Sequence, residues 1–179
     1  MNGNSSPSPE ATPASFPPLG WWWAEPGRLL VGSHPCREAE GGAHWLLRLA
    51  EHGFTHILSL NSEKEELSWP FPELPAGMER WRLPIEDYDI PDNMDLIPAV
   101  RRVQFILSNK SARVFVHCMG GCGRSGYVAG SILVALKACP GKEIQSLLDQ
   151  RRREAGLTAD CPETLEQRVF LKNVHILFL

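Results

Sequence analysis

The stretch VFVHCMGGCGRSGYVAGSILVA, residues 114–135, decides the fold of this 179-residue chain. Residues 113–117 are rich in β-branched and aromatic side chains, which is typical of a short strand. Three glycines follow within six positions. Residues 124–138 are then apolar almost all round, which predicts a helix buried in the centre of a domain.

The flanking sequence alternates between strand and helix patterns. Strands are predicted at 27–32, 54–60 and 80–85, and helices at 43–52, 95–108, from Pro140 onward and at 162–173. Asp95 is the expected cap of the helix at 95–108. This alternation predicts a single α/β domain with a central, mostly parallel sheet flanked by helices.

The two ends of the chain differ in composition. Residues 1–20 are rich in Ser and Pro, and we expect them to form a disordered tail before a folded domain at 21–179. The rings of Trp21–Trp23 are expected to cover the edge of the core. The three arginines at 151–153 predict a solvated helix face.

Composition excludes several classes of function. A net charge of −3 argues against a nucleic-acid partner, and no apolar run is long enough to cross a membrane. Five cysteines, an odd number, without a secretory signal favour reduced thiols. We therefore expect a cytoplasmic protein with access to the nucleus.

The glycine-rich turn has the properties of a phosphate site. Its backbone N–H groups, backed by the positive end of a helix, form an anion cradle, and Gly120, Gly121 and Gly123 allow the required backbone angles. Arg124 adds a fork suited to two phosphate oxygens. Cys118 lies at the strand end, where the helix dipole and Arg124 favour the nucleophilic thiolate.

Three other interpretations of this turn stay open. A metal site built from His117, Cys118 and Cys122 lacks further ligands, and adjacent strand residues point in opposite directions. A Walker-type nucleotide loop requires a Gly-Lys-Ser/Thr order that is absent here. The turn could also be purely structural.

The order His117-Cys118, five residues and Arg124-Ser125-Gly126 resembles the signature loop of the cysteine-dependent protein tyrosine phosphatases, in their compact dual-specificity branch. Three other stretches also resemble this branch: WAEPGRL at 23–29 with GSHP at 32–35, LPIED at 83–87, and ETLEQ at 163–167. The similarity covers about residues 21–173. It implies that the signature loop joins a central strand to a buried helix.

The resemblance also implies roles for the residues of this loop. Cys118 would attack phosphorus and form a phosphocysteine, and Ser125 would ease departure of the thiolate. His117 would order the loop and favour the thiolate. The phosphate would be held by Arg124 and by the backbone N–H groups of the loop, namely those of Met119, Gly120, Gly121, Cys122, Gly123 and Arg124. No metal or cofactor is expected.

A carboxylic acid must protonate the leaving oxygen. The candidates are Glu86, Asp87, Asp89, Asp92 and Asp95. Asp87 stands at the position of the family's general acid and is our prediction, with Asp92 as the alternative. By the same resemblance, Gln167 would help to position the hydrolytic water, although an exposed helical Gln is the default interpretation.

The expected substrate is a phosphorylated protein. The five positions between Cys118 and Arg124 contain no Lys or Arg, which disfavours multiply phosphorylated lipids. Phosphotyrosine is expected first, with phosphoserine and phosphothreonine second. The alternatives are a phosphoprotein-binding module of the same fold and a phosphatase for a small non-protein phosphate. Cys122 is expected to be an apolar wall; the minority hypothesis gives Cys122 or Cys36 a redox role beside Cys118.

Overall fold

The computed structural model describes residues 16–158 and 160–178, and its strands form one five-stranded sheet. The strands are β1 (Trp22–Glu25), β2 (Leu29–Gly32), β3 (His56–Ser59), β4 (Glu79–Arg82) and β5 (Val114–His117), in the order β1-β2-β5-β3-β4. The β1–β2 pair is antiparallel, and the other three pairings are parallel. The predicted central, mostly parallel sheet is therefore confirmed.

Helices cover both faces of this sheet. They are α1 (Gly42–Glu51), α2 (Glu63–Ser68), α3 (Asn93–Ser108), α4 (Gly123–Ala135), α5 (Ile144–Glu154) and α6 (Leu165–Asn173). Alternate residues of β5 enter different cores: Val114 and Val116 pack with α3–α6, whereas Phe115 packs with α1. The period of two along a strand thus divides one hydrophobic sequence between two layers.

Helix α4 lies at the centre of the larger layer. All of its residues are buried, and it contacts α3, α5 and α6. A methyl group at Gly130 would lie 2.8 Å from the Leu171 side chain, so this glycine lets α6 approach closely. The predicted buried helix is confirmed, and it provides a rigid base for the loop that precedes it.

Some local features differ from the sequence-based expectation. Asp92, not Asp95, caps α3, and its Oδ1 accepts a hydrogen bond from Met94 N at 2.7 Å. Helix α2 was not expected, because its six residues show no apolar period; it begins with a capping box between Ser62 and Glu65. The solvated face predicted for the arginines is wrong for Arg152, which is buried and donates to Thr158 O at 2.9 Å.

The N-terminal boundary also lies earlier than expected. Phe16 stacks on His52 with ring centroids 3.8 Å apart, so packing begins before residue 21. The disorder predicted for residues 1–15 lies outside the described residues. Trp21 and Trp22 are buried, so these rings enter the core rather than only cover its edge. Across the described ranges, no helix has the length and apolar character needed to cross a membrane.

Candidate active site

The glycine-rich loop lies at the carboxyl end of the middle strand. β5 pairs with β2 on one side and with β3 on the other, and the loop connects it directly to the first turn of α4. Open α/β sheets bind ligands at this edge, where helix N-termini also point. The predicted placement between a central strand and a buried helix is confirmed.

The Cys118 sulfur is held by two groups within the loop. Its Sγ lies 3.3 Å from Ser125 Oγ and accepts a hydrogen bond from Gly121 N at 3.2 Å. The side chain is buried beneath the loop. The structure therefore brings Cys118 and Ser125 together, as the sequence predicted, and a donor on each side can stabilise a negative sulfur.

Position 121 requires a glycine, both for its backbone angle and for the space around it. Its φ is 77°, and a methyl group there would lie 2.6 Å from the backbone of Gly32 and Ser33. The Trp22 indole N–H also donates to Gly121 O at 3.2 Å. The loop is thus built tightly against the end of β2, a connection that the sequence did not reveal.

Two N–H groups of the loop already have partners. Gly121 N donates to the Cys118 sulfur, and Gly123 N donates to the Glu163 carboxylate at 3.2 Å. A carboxylate is favourable at the N-terminus of α4, where the helix dipole is positive. The Gly123 N–H that was predicted to hold phosphate is therefore shared with the segment preceding α6.

The Arg124 guanidinium is buried and fixed by two carboxylates. Glu65 grips it in a bidentate pair, with Nη2 to Oε1 at 2.9 Å, and Asp87 Oδ1 lies 3.0 Å from Nη2. Nη1 also donates to Ile85 O at 3.0 Å. Burial alone would lower the pKa of Arg124, but the hydrogen bonds that it donates to Glu65 raise it, so this cation is permanent.

Glu65 is the main site residue that sequence reasoning missed. Burial raises the pKa of its carboxyl, but the hydrogen bonds from Arg124 and Ser62 outweigh that effect and lower it. The same carboxylate accepts the Ser62 N–H at 2.9 Å, closing the capping box of α2. One side chain therefore both starts a short helix and orients the phosphate clamp. The capping pattern in the sequence was the available signal.

Asp87 is the acid candidate that contacts the clamp. Asp92 is occupied as the cap of α3, and Asp95 follows in its first turn. The Asp89 carboxylate accepts the N–H of the next residue, Ile90. The structure thus brings Asp87, among these candidates, into contact with Arg124.

Gln167 is not the exposed helical residue assumed by default. Its side chain is fully buried; Nε2 donates to Asp89 O at 2.9 Å, and Oε1 accepts Thr164 N at 3.2 Å. These bonds join the loop that carries Asp87 to the start of α6. The amide therefore positions the acid loop, while its action on a water molecule stays a prediction.

His117 supports the loop as a neutral ring. It is buried, its Nε2 lies 2.7 Å from Ser59 Oγ, and it stacks between Phe71 and Phe115. Burial lowers its pKa well below the usual value. The expected ordering role fits these contacts and the 3.3 Å between His117 Nδ1 and Cys118 O, while the expected favouring of the thiolate stays a prediction.

The second cysteine of the loop faces away from its interior. Cys122 Sγ lies 3.5 Å from Asp160 O, and the side chain packs against the larger core; its role as an apolar wall of the cradle stays a prediction. Cys36 instead lies 3.8 Å from Pro70 O. Within residues 16–158 and 160–178, no three His, Cys, Asp or Glu side chains are grouped to hold a metal ion.

A cavity of about 350 Å³ adjoins the loop on the side of Asp87. Its lining residues come from α2, the acid loop and the start of the signature loop: Ser62, Lys64, Glu65, Ser68, Trp69, Glu86, Asp87 and Met119. Trp69 is 43% exposed there. The cavity therefore lies beside the cradle and has one aromatic wall.

Solved structures share this architecture. The active form of Tk-PTP superposes with a TM-score of 0.67 at 23% identity, covering 90% of this chain and 99% of that one. Kinase associated phosphatase (KAP) with its catalytic-site cysteine changed to serine gives 0.71 at 19% identity, with coverages of 94% and 98%. PTPMT1 in complex with PI(5)P gives 0.67 at 18% identity, with coverages of 87% and 94%. At these identities the likeness concerns the fold.

Sequence comparisons identify the family. The Dual specificity protein phosphatase CDC14AB of Danio rerio is 31% identical over 120 residues, which are 63% of this chain and 18% of that protein. The chain therefore spans much less than two thirds of this relative. A family model described as "Swiss Army Knife protein, DSP-PTPase phosphatase domain" matches residues 19–168. The chain belongs to this family, and thus to the compact dual-specificity branch of the cysteine-dependent protein tyrosine phosphatases.

Proposed function

We propose that this protein hydrolyses phosphate monoesters through a phosphocysteine intermediate, acting first on phosphotyrosine in proteins and second on phosphoserine and phosphothreonine. The observation that carries the proposal is the convergence of three groups. The Cys118 sulfur is held by Ser125 and Gly121, and the Arg124 clamp lies within 3.0 Å of the Asp87 carboxylate. Arg124 follows Cys118 by six positions at the start of α4 and contacts Asp87, which supports a site where nucleophile, clamp and acid act together.

The proposed first step transfers phosphorus to sulfur. The Cys118 thiolate attacks phosphorus while Arg124 and the N–H groups of the loop hold the non-bridging oxygens. The bond between phosphorus and the leaving oxygen breaks as Asp87 donates a proton to that oxygen. In the second step Asp87 accepts a proton from water, the water oxygen bonds to phosphorus, and the thiolate departs with a hydrogen bond from Ser125.

Asp87 has the freedom that this role requires. Its side chain is 54% exposed, whereas the Arg124 side chain is 2% exposed and is kept in place by Glu65. Phosphate oxygens can therefore replace Asp87 on Arg124 while Glu65 continues to orient the guanidinium. The released Asp87 side chain lines the cavity, takes up a proton from solvent there and can pass it to the leaving oxygen.

The neighbouring cavity supports an aromatic leaving group. Trp69 offers a ring face, and Lys64 is the cation that lines the cavity. Multiply phosphorylated ligands require several cations because each phosphate carries up to two negative charges. PTPMT1 was solved with PI(5)P, so a lipid phosphate belongs among the test substrates.

The first experiment compares wild type with Cys118→Ser on p-nitrophenyl phosphate. We expect a rate loss of about 10⁴-fold or more, because the serine hydroxyl is a poor nucleophile here. A phosphate adduct on Cys118, trapped by rapid acid quench and located by mass spectrometry, would support the intermediate. Equal inactivity of both proteins, with retained phosphopeptide binding, would identify a binding module instead.

The second experiment tests substrate class. We compare matched phosphotyrosine and phosphoserine peptides and PI(5)P, using wild type, Trp69→Ala and the control Leu67→Ala. Leu67 lies on α2 and is 84% exposed, but it does not line the cavity. Trp69→Ala should lower kcat/KM for phosphotyrosine roughly fivefold to tenfold and leave phosphoserine within twofold. A higher kcat/KM for PI(5)P than for either peptide would contradict the proposal that the substrate is a protein.

A further inference from the structure

Two cysteines meet behind the phosphate cradle. Cys122 caps the N-terminus of α4 and is partly exposed, whereas Cys161 is fully buried in the segment that precedes α6. They are 39 positions apart in the chain. Both are free thiols.

The contacts between them are direct. Cys161 Sγ donates to Cys122 O at 3.0 Å, and Cys122 Sγ lies 3.5 Å from O of Asp160, the residue before Cys161. Each thiol therefore lies against the backbone at or next to the other cysteine, so the two side chains are neighbours in the fold.

The backbone of α4 is shaped around the Cys161 sulfur. A methyl group at Gly126 would lie 2.4 Å from Cys161 Sγ, so any larger residue there would displace the thiol. Because Gly126 has no side chain, the Cys161 sulfur can lie directly against the start of α4.

The two thiols differ electrostatically. The neighbouring Cys161 thiol is the main cause that lowers the pKa of Cys122, and Arg152 adds to it. Burial raises the pKa of Cys161 well above the usual value. Burial likewise raises the pKa of Cys36 and Cys139. Cys122 is therefore the more acidic, accessible member of the pair, and the thiolate is the form that oxidants attack.

We propose that Cys122 and Cys161 form a reversible disulfide in the presence of a hydroperoxide and that this bond ties the cradle to the segment before α6. The Cys122 thiolate attacks the peroxide, so an S–O bond forms, the O–O bond breaks and hydroxide or alkoxide leaves. The Cys161 thiol then loses its proton and attacks the Cys122 sulfur. The S–S bond forms as the S–O bond breaks, and the oxygen leaves as water. Two electrons pass from the thiols to the peroxide.

The nucleophile and Cys122 have different hydrogen-bond partners. Cys118 Sγ is bonded to Gly121 N and Ser125 inside the cradle, whereas Cys122 Sγ is directed to the Asp160 carbonyl outside it. The site does not depend on phosphatase activity. A Cys118→Ser protein therefore retains it, and its oxidation can be measured without modification of the nucleophile.

The test treats reduced Cys118→Ser protein with one equivalent of hydrogen peroxide and maps its peptides under non-reducing conditions. We expect one major cross-linked product joining the peptides of Cys122 and Cys161, which dithiothreitol removes. The cross-link should raise Tm by roughly 5–10 °C, because it closes a long loop in the unfolded chain. Wild type should give the same cross-link.

Variants on the same background identify the partners. Cys161→Ser and, separately, Cys122→Ser should each lose the cross-link and the rise in Tm, whereas Cys139→Ser should keep both. Two independent variants guard against a folding defect in either one. A Cys118–Cys122 disulfide in wild type, a cross-link through Cys36 or Cys139, or irreversible oxidation of Cys122 without any disulfide would overturn the proposal.

Discussion

The cradle and the leaving-group side of the site are built in different ways. The cradle consists of buried backbone and small side chains, tied to β2 by the close approach of Gly121 and by the Trp22 hydrogen bond. The leaving-group side consists of α2 and the loop around Asp87. There, carboxylate side chains at or near the surface form ion pairs with Arg124, Arg80 and Arg82.

This difference separates two tasks. Fixed dipoles in a buried loop stabilise the charge that develops on phosphorus oxygens without having to reorganise. Ion pairs near solvent are individually weak and can exchange partners, which suits the role proposed for Asp87, namely to release Arg124 and then deliver a proton. The cradle is therefore the rigid part of the site, and the leaving-group side is the part that can rearrange.

The largest expected effect comes from breaking the cradle with Gly121→Ala. The new methyl group would meet the backbone of Gly32 and Ser33 at 2.6 Å, and neither can move without disturbing β2. Displacing the loop by about 1 Å should lower kcat at least about 10²-fold. Steady-state kinetics on p-nitrophenyl phosphate would measure the loss.

Gly77→Ala is the matched control for this change. Gly77 also has a positive φ, 83°, but a methyl group there would meet nothing within 4 Å. It should cost only the backbone strain of about 1–2 kcal/mol in the free energy of unfolding and leave kcat unchanged. Similar losses of kcat in both variants would mean that backbone strain, and not the close contact with Gly32 and Ser33, causes the effect at Gly121.

A smaller effect is expected on the other side, from Glu65→Gln. Glutamine can preserve the capping box of α2 but weakens the charged grip on Arg124. Losing one charge-assisted hydrogen bond, about 1.5 kcal/mol, should lower kcat about tenfold. Glu63→Gln, on the same helix and paired with Arg82 at the surface, should stay within twofold. Equal losses in both variants would contradict an orienting role specific to Glu65.

The next prediction concerns stability in acid rather than catalysis, beneath the cradle. Burial lowers the pKa of His34 to about 4 and that of His117 well below its usual value, so the unfolded chain binds protons that the folded protein does not. The free energy of unfolding should be undiminished above pH 6.5. It should fall from pH 6.5 toward 4 by up to about 1.4 kcal/mol per pH unit for each histidine.

Urea denaturation at pH 7.5, 6.5, 5.5 and 4.5 would measure this slope. Because the pKa values of Glu65 and Glu66 are lowered, the stabilisation that these carboxylates provide is lost only from the usual carboxyl range downward. As the pH falls, the loss of stability caused by the histidines should therefore appear first. A flat profile between pH 6.5 and 4.5 would show that the histidines are accessible to protons in the folded protein.

The local parts of this site could be predicted from sequence, and the distant ones could not. The strand, cradle and buried helix are continuous in the chain, and Arg124 follows Cys118 by a fixed spacing. Glu65 reaches Arg124 across 59 positions from a helix too short to show a period. Asp92 and Asp95 are three residues apart and are both favourable N-cap residues, so the sequence-based prediction selected the wrong one.

Burial was the other quantity that sequence could not supply. Gln167 is polar and lies on an amphipathic helix, yet its carbonyl and amide groups are satisfied inside the protein. Cys161 is fully buried against Gly126, but nothing in its neighbourhood in the chain indicates a partner at Cys122. Both depend on where α6 packs, a long-range result of the fold.

The hydrogen bond from Trp22 to Gly121 and that from Gln167 to Asp89 connect the site to segments 145 positions apart in the sequence. A chain emerging from the ribosome would hold the complete signature loop while α6 is still being synthesised. Domains fold largely as units during synthesis, and long-range contacts form late. The hydrogen bond from Gln167 to the loop around Asp87 can therefore form only after residue 167 has emerged, so the proposed activity would follow the synthesis of α6.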